Sequence, residues 1–345
     1  MNLQQTATIG TTGLEISRLG FGGAPLGGLF ANVTEDEAVQ AVSRGLDLGL
    51  RYLDTAPFYG RGKSERHIGR ALIGVPREQF VISTKVGRVL VPANVNPSPD
   101  EFVDLPPLDV VFDYSRDGIL RSLEESLNRL GLDRIDILLI HDLDTAEAED
   151  PSHWRKGIQE AYPTLEQLRS EGVVKAIGAG LNNVGPLMRL ADVGDFDCFL
   201  LAGRYTLLDQ SGLLELLPLC QKRHISVILG GPYNSGILAS DLSTDTTYFY
   251  KIAPPIVLER AHCLKSVCEQ FSVPLKAAAL QFGLAHPAVS ATIPGARSLR
   301  EVEDNVEMAQ FVIPDGLWNE LRRQGLISQA APIPSSSKEN GLGSL

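Results

Sequence analysis

The sequence has little cysteine, no long apolar run and no excess of positive charge. Four cysteines (Cys198, Cys220, Cys263 and Cys268) in 345 residues cannot build a disulfide framework. Cys263 and Cys268 are not at a zinc-ligand spacing, so the thiols read as free groups in a reducing compartment and no metal is expected. No stretch reaches the length of a membrane span, and the first dozen residues contain no apolar core of a secretory signal. Cytoplasm is therefore the expected location. Lys and Arg number 31 against 42 Asp and Glu, a net charge of −11, which argues against nucleic acid or an anionic membrane as partner. Nucleotide fingerprints are missing as well. Gly178-Ala179-Gly180-Leu181-Asn182-Asn183 has asparagine where a third glycine belongs. Gly62-Lys63-Ser64 resembles the end of a P-loop, but Pro57 stands at the leading glycine position.

What is present is an alternation of short β-type runs with longer helical segments. Strands are predicted at 19–24, 51–55, 80–85, 136–140, 174–178, 198–201, 226–229 and 289–293. They are rich in Val, Ile and Leu on both faces, as parallel strands covered on both sides read. Helices are predicted at 35–48, 118–130, 163–170, 184–190, 212–223, 255–270, 275–285 and 299–310. Thr34 is expected to cap the first, with Glu35, Asp36 and Glu37 in its opening turn. Asp117 is expected to open the second. Eight β/α units predict a closed (β/α)8 barrel of the TIM type, one domain over 1–327, with a disordered tail at 328–345. Two long segments, 87–115 and 230–253, follow the third and seventh strands on the side where barrels keep their chemistry.

Polar residues close or follow three of these apolar strands. Asp54 ends the second, with Tyr59 five residues on; Lys85 ends the third; His141 ends the fourth. In a barrel these positions converge on one mouth. A phenol ordinarily titrates near pH 10, and a neighbouring ammonium favours the phenolate, so Lys85 would tune Tyr59 for proton exchange. Asp54 would hold Lys85, and His141 would orient a substrate oxygen. Such groups move protons only, so a hydride must come from a cofactor. After the seventh strand, Gly231 and Gly236 permit close approach of backbone amides to a pyrophosphate, and Asn234 and Ser235 offer donors. Arg297 lies near the start of the helix after the eighth strand, a favourable place for phosphate.

The stretches Leu53-Asp54-Thr55-Ala56-Pro57-Phe58-Tyr59-Gly60, Ser64-Glu65-Arg66-His67-Ile68-Gly69, Ser83-Thr84-Lys85-Val86-Gly87, Ile140-His141-Asp142 and Ile293-Pro294-Gly295-Ala296-Arg297 carry a resemblance. The sequence resembles the aldo-keto reductase superfamily from about Leu14 to Met308. Phrases such as Leu201-Ala202-Gly203-Arg204-Tyr205 and Tyr233-Asn234-Ser235-Gly236 place the resemblance in its aldose 1-dehydrogenase branch, with pyridoxal 4-dehydrogenase similar. The resemblance implies a catalytic tetrad of Asp54, Tyr59, Lys85 and His141, with Tyr59 as general acid/base. It implies a nicotinamide cofactor bound without a Rossmann domain. Many members grip the NADP 2′-phosphate with a lysine and an arginine where this chain has Gly295 and Glu301, and they have an asparagine matching Asn305. A carboxylate repels that phosphate and accepts hydrogen bonds from a ribose diol, so NAD is preferred, with NADP possible through Arg297. Where members hold the carboxamide, this chain offers Asn182 or Asn183, and Arg204 nearby.

The implied reaction is oxidation of the C1 hydroxyl of a cyclic aldose of L-fucose, D-arabinose or L-galactose type to a lactone, with Trp154 as a candidate stacking wall for the sugar. Pyridoxal oxidation, NADPH-dependent aldehyde or ketone reduction, and more remotely a redox-sensing binding module are the alternatives. The partner is a small-molecule sugar or aldehyde, and the chain is expected to be a monomer or homodimer.

Overall fold

The computed structural model describes residues 2–93 and 100–334. Its centre is a sheet of eight parallel strands: Phe21–Gly22, Tyr52–Asp54, Val81–Val86, Ile137–His141, Ala176–Leu181, Cys198–Ala202, Ser226–Gly230 and Val289–Ile293. They pair in chain order. Bridges from Leu19 to Thr292 and from Gly22 to Gly295 join the last to the first, with the Gly22 amide donating to Pro294 O at 3.0 Å. The ring closes into the expected barrel. Each expected strand is present, and the fifth runs on to Leu181. The reason is visible in burial: Ile137–His141 and Ala176–Leu181 are buried at every position, so continuous apolar runs mark them.

Most helices stand where periodicity put them. Thr34 accepts from the Glu37 amide, and Glu37 returns a bond to the Thr34 amide, a reciprocal cap. The next expected helix spans Arg116–Leu130 and is capped by Ser115, whose hydroxyl accepts from the Gly118 amide; Asp117 lies inside the first turn instead of opening it. The helix expected from 212 begins at Leu216, because Gly212 first folds back to donate to Arg204 O. Helix Lys63–Ala71, after the second strand, was not expected. Ser64, Glu65 and His67 are buried there beside Ile68 and Ala71, so polar residues interrupt the apolar stripe on its inward face.

The two long segments are not plain loops. The first contains an antiparallel pair, Arg88–Pro92 with Leu108–Phe112; the second contains Thr247–Tyr248 with Lys251–Ile252. Another pair, Thr6–Ile9 with Leu14–Ser17, plugs the N-terminal end of the barrel. Ile9, Leu14 and Ile16 from that pair pack with barrel-lining Ile137, Leu139 and Ile228. The tail also departs from expectation. Ala331 is fully buried, and the Ser328 amide donates to Gln210 Oε1 at 2.8 Å, so 328–334 pack on the body; 335–345 lie outside the described residues. No described helix is long and apolar enough to cross a membrane.

Candidate active site

The C-terminal ends of the second, third and fourth strands bring Asp54, Lys85 and His141 together. Lys85 is only 1% exposed. A buried ammonium needs its charge balanced and its protons bound. Here Nζ donates to Asp54 Oδ2 at 2.8 Å, to Thr55 O at 2.8 Å and to the Tyr59 hydroxyl oxygen at 3.0 Å. Ser83 donates to Asp54 Oδ1 at 2.7 Å and is itself 2.9 Å from the Tyr52 hydroxyl, so the carboxylate is held from both sides. Because Lys85 donates to Tyr59, the phenol's own proton is directed away from Lys85.

Tyr59 sits on a loop pinned by close backbone contact. A Cβ at Gly60 would lie 2.1 Å from Gly27 O, and one at Gly27 would lie 2.5 Å from the Tyr59 carbonyl carbon. Only glycines allow the two segments to touch. His141 meets Tyr59 edge-on, ring centroids 5.9 Å apart. Its carbonyl accepts from the Tyr114 hydroxyl at 2.6 Å, its Nδ1 is buried without a hydrogen-bond partner, and its Nε2 lies 3.5 Å from Asp142 Oδ2.

Burial, reinforced by Lys85 and Arg88, holds His141 well below its ordinary pKa, so the imidazole is neutral. Tyr59 moves the opposite way from the sequence expectation. Burial, with the Asp54 and Asp142 carboxylates, pushes its phenol well above 10. The nearby Arg88 guanidinium pulls the other way but does not offset burial, and Asp54 balances the Lys85 ammonium at 2.8 Å. The site therefore holds a protonated phenol, a neutral imidazole and an internally balanced ion pair.

A groove of about 620 Å³ leads away from Tyr59 and Asp54. Asn182, Gly231, Asn234, Ser235, Gly236, Arg297 and Glu301 all line it, as expected of cofactor contacts. Two others stand behind the wall. Arg204 donates to Asn182 O at 2.8 Å and to Asp209 at 3.0 Å, and clamps loops together. Asn305 is buried, donates to Gly295 O and accepts from Tyr233 at 2.9 Å. Asn183 is tied to Asp144 at 2.7 Å, which leaves Asn182 as the amide facing the groove. Trp154 is not brought to the groove; its ring lies 3.5 Å beneath the Arg189 guanidinium on an outer helix, where it anchors packing.

The groove suits a dinucleotide. Gly231 has φ +57°, and a Cβ there would find no atom nearer than 3.8 Å, so the bare backbone leaves room for a close-lying pyrophosphate. Arg297 is bound at two points by Glu301, with Nη2 to Oε1 at 2.6 Å and Nε to Oε1 at 3.1 Å. Lys276, also on the wall, is paired with Asp304.

Sequence reasoning missed Lys276, and it missed Phe249 and Tyr250 at the tip of the short hairpin that crosses the groove toward Phe30, 6.2 Å from the Tyr250 ring. The hairpin lies within the long segment after the seventh strand, which was the available signal. The sequence pointed to the segments after the third and fourth strands for substrate contacts but did not single out Arg88 and Asp142 within them. Among the described residues no group of three or more His, Cys, Asp or Glu side chains is placed to hold a metal.

Residues 18–324 match the model of the aldo/keto reductase family. The chain belongs to the aldo/keto reductase family. It is 39% identical to the pyridoxal 4-dehydrogenase of Microbacterium luteolum, over 95% of this chain and 99% of that protein. It is 39% identical to the D-threo-aldose 1-dehydrogenase of a Pseudomonas species, over 91% and 96% respectively. Among solved structures it resembles an aldo-keto reductase of Bacillus halodurans in its holo form, with a TM-score of 0.73, 25% identity, and coverage of 97% of this chain and 99% of that one. As an aldo/keto reductase the chain is an oxidoreductase of a family that uses nicotinamide cofactors.

Proposed function

We propose that the chain oxidises the C1 hydroxyl of a cyclic aldose to a lactone, with Tyr59 as general acid/base. The observation that carries this reading is the Asp54–Lys85–Tyr59 chain of hydrogen bonds at the head of a glycine-lined groove. A nicotinamide cofactor, when bound, exchanges the hydride. Gly231, Gly236 and Ser235 would hold its pyrophosphate, and Asn182 its carboxamide. Tyr59 takes the hydroxyl proton in oxidation and returns it in reduction. His141, neutral, donates from Nε2 to the reacting oxygen and holds it against Tyr59. The aldose-oxidising relative at 39% identity supports the sugar.

NAD is the proposed cofactor. Each cation near the far end of the groove, Arg297 and Lys276, already carries a carboxylate partner. A 2′-phosphate would meet little net positive charge there, whereas a ribose diol can donate to Glu301.

A second reading is favoured by the aromatic side chains around the mouth. Phe58 and Phe102 meet edge-on at 5.3 Å, Phe102 lies 6.2 Å from Tyr59, and Phe30 approaches Tyr250. Such walls suit a flat ring, and pyridoxal is the substrate named for the Microbacterium relative.

The test is initial rates of NADH and NADPH formation with L-fucose, D-arabinose, L-galactose and pyridoxal, with Tyr59→Phe as control. Tyr59-dependent NADH formation from a sugar supports the aldose reading. Activity with pyridoxal alone selects the second. Silence with all four, with NADPH-dependent reduction of simple aldehydes, overturns both.

A further inference from the structure

Two ion pairs flank Tyr59. Asp54 and Lys85 lie beneath the phenol. Arg88 and Asp142 lie beside it, joined by Nη1 and Oδ2. The second pair is costly to keep. Two charges are taken largely out of water, burial pushes the Asp142 carboxyl above its ordinary range, and Arg88 Nε is buried with no hydrogen-bond partner. A pair of this kind adds little stability over apolar packing, so its retention beside reacting groups points to a task.

Asp142 Oδ2 lies 3.5 Å from His141 Nε2, the atom proposed above to hold the reacting oxygen. Neighbouring oxygens of a diol are separated by about the length of a hydrogen bond, roughly 2.8 Å. An oxygen on the next carbon can therefore reach Asp142 when the reacting oxygen sits on Nε2. The carboxylate can accept a hydrogen bond from that hydroxyl, and the guanidinium can donate one to its oxygen. The side chains of Asp142 and Arg88 keep 11% and 15% exposure, so the pair is not sealed.

Both members are held rigidly. The Arg88 guanidinium stacks 3.4 Å over the Phe58 ring and lies 5.1 Å from that of Phe112. Asp142 has φ +47°, and its amide donates to Gly180 O at 3.1 Å. Rigid support of this kind is what a recognition pair requires.

We infer that Arg88 and Asp142 recognise the hydroxyl on the carbon next to the reacting carbon, making the chain selective for 2-hydroxy carbonyl compounds and the sugars derived from them. The inference rests on the roles proposed for Tyr59 and His141. A pocket built to bond a hydroxyl rejects the analogue that lacks it, because its own polar groups are then left unpaired.

The experiment compares lactaldehyde with propanal, which differ only in that hydroxyl, as substrates for reduction by the full chain with NADH or NADPH. The wild type is expected to prefer lactaldehyde in kcat/KM by at least about tenfold. In Asp142→Asn and in Arg88→Met the ratio is expected to fall toward one. Asparagine tolerates the left-handed backbone at this position, and methionine keeps an apolar stem over Phe58. If Asp142→Asn does not fold, Arg88→Met decides. A wild-type ratio near one overturns the inference. So does an unchanged ratio with both substrates falling together, the result of a merely structural pair. Sugar oxidation by the wild type tests the proposed function separately: sugars turned over without hydroxyl preference sink only this inference. Turnover of neither aldehyde overturns this inference, while Tyr59-dependent oxidation of a sugar would leave the role of Tyr59 standing.

Discussion

Tyr59 shows what one residue's neighbours decide. Its type and position were readable because phenol, ammonium, carboxylate and imidazole fall at or just beyond strand ends that a barrel must bring together. Its titration was not readable, because that depends on how Asp54 balances Lys85 and on burial, neither of which the order of residues reveals. The raised phenol pKa has a direction. At neutral pH Tyr59 is protonated and ready to donate, so reduction needs no ionisation there. Oxidation needs a proton acceptor, so its kcat/KM should climb with pH through 9 and show no plateau below about pH 10. A pH profile in both directions checks this; an oxidation plateau near pH 7 would contradict it. Tyr59→Phe removes the proton carrier and should lower kcat by about 10²–10⁴ while leaving cofactor Kd within about threefold. At the other end of the groove, Glu301→Gln should free Arg297 for a 2′-phosphate. The ratio of NADPH to NADH affinity, read by cofactor fluorescence, is expected to rise at least about tenfold.

At the scale of elements, the parallel strands were legible and the hairpins were not. Cys198–Ala202 and Ser226–Gly230 are short, largely apolar runs buried on both faces, as strands of a covered parallel sheet read. The pair Arg88–Pro92 and Leu108–Phe112 alternates poorly, and its partners lie far apart in sequence, so register leaves no local trace. Helix Lys63–Ala71 was hidden because buried polar residues break up the apolar stripe of its inward face. Glu65 accepts from Thr84 at 2.7 Å and from Arg129 at 2.6 Å, bonds invisible until the barrel is assembled. The turn that carries Tyr59 is likewise set by an element it touches, the short 3₁₀ segment Ala24–Gly27. Gly27→Ala would drive a methyl into the Tyr59 backbone. The displaced phenol should lose its bond to Lys85, with kcat falling about 10²-fold and cofactor affinity changing little. Rescue of kcat is not expected from any larger residue at 27, and a variant with wild-type kcat would show that the close approach is dispensable.

Across the whole molecule the two ends of the barrel divide the work. The N-terminal hairpin closes one end with Ile9, Leu14 and Ile16, leaving the other end to hold groups that a stable core would exclude. Keeping His141 neutral is one consequence, and it links the site to global stability. Burial also lowers the pKa of His67 and His286, on a helix beside the site and near the floor respectively. A histidine whose folded pKa lies below its unfolded value near 6.5 binds fewer protons folded than unfolded. Its contribution is complete above pH 6.5 and is lost as pH falls toward the folded value. The urea midpoint should therefore be level from about pH 7 to 8 and decline between pH 6.5 and 5. His141 alone would add up to about 1.4 kcal/mol per pH unit to that slope. Urea unfolding of the wild type and His141→Gln at matched pH isolates its share. The variant should show a shallower acid decline at unchanged m-value, because one proton fewer is taken up on unfolding. An equal slope in both proteins would mean that His141 titrates normally in the fold, and the neutral donor assigned to it would have to be given up.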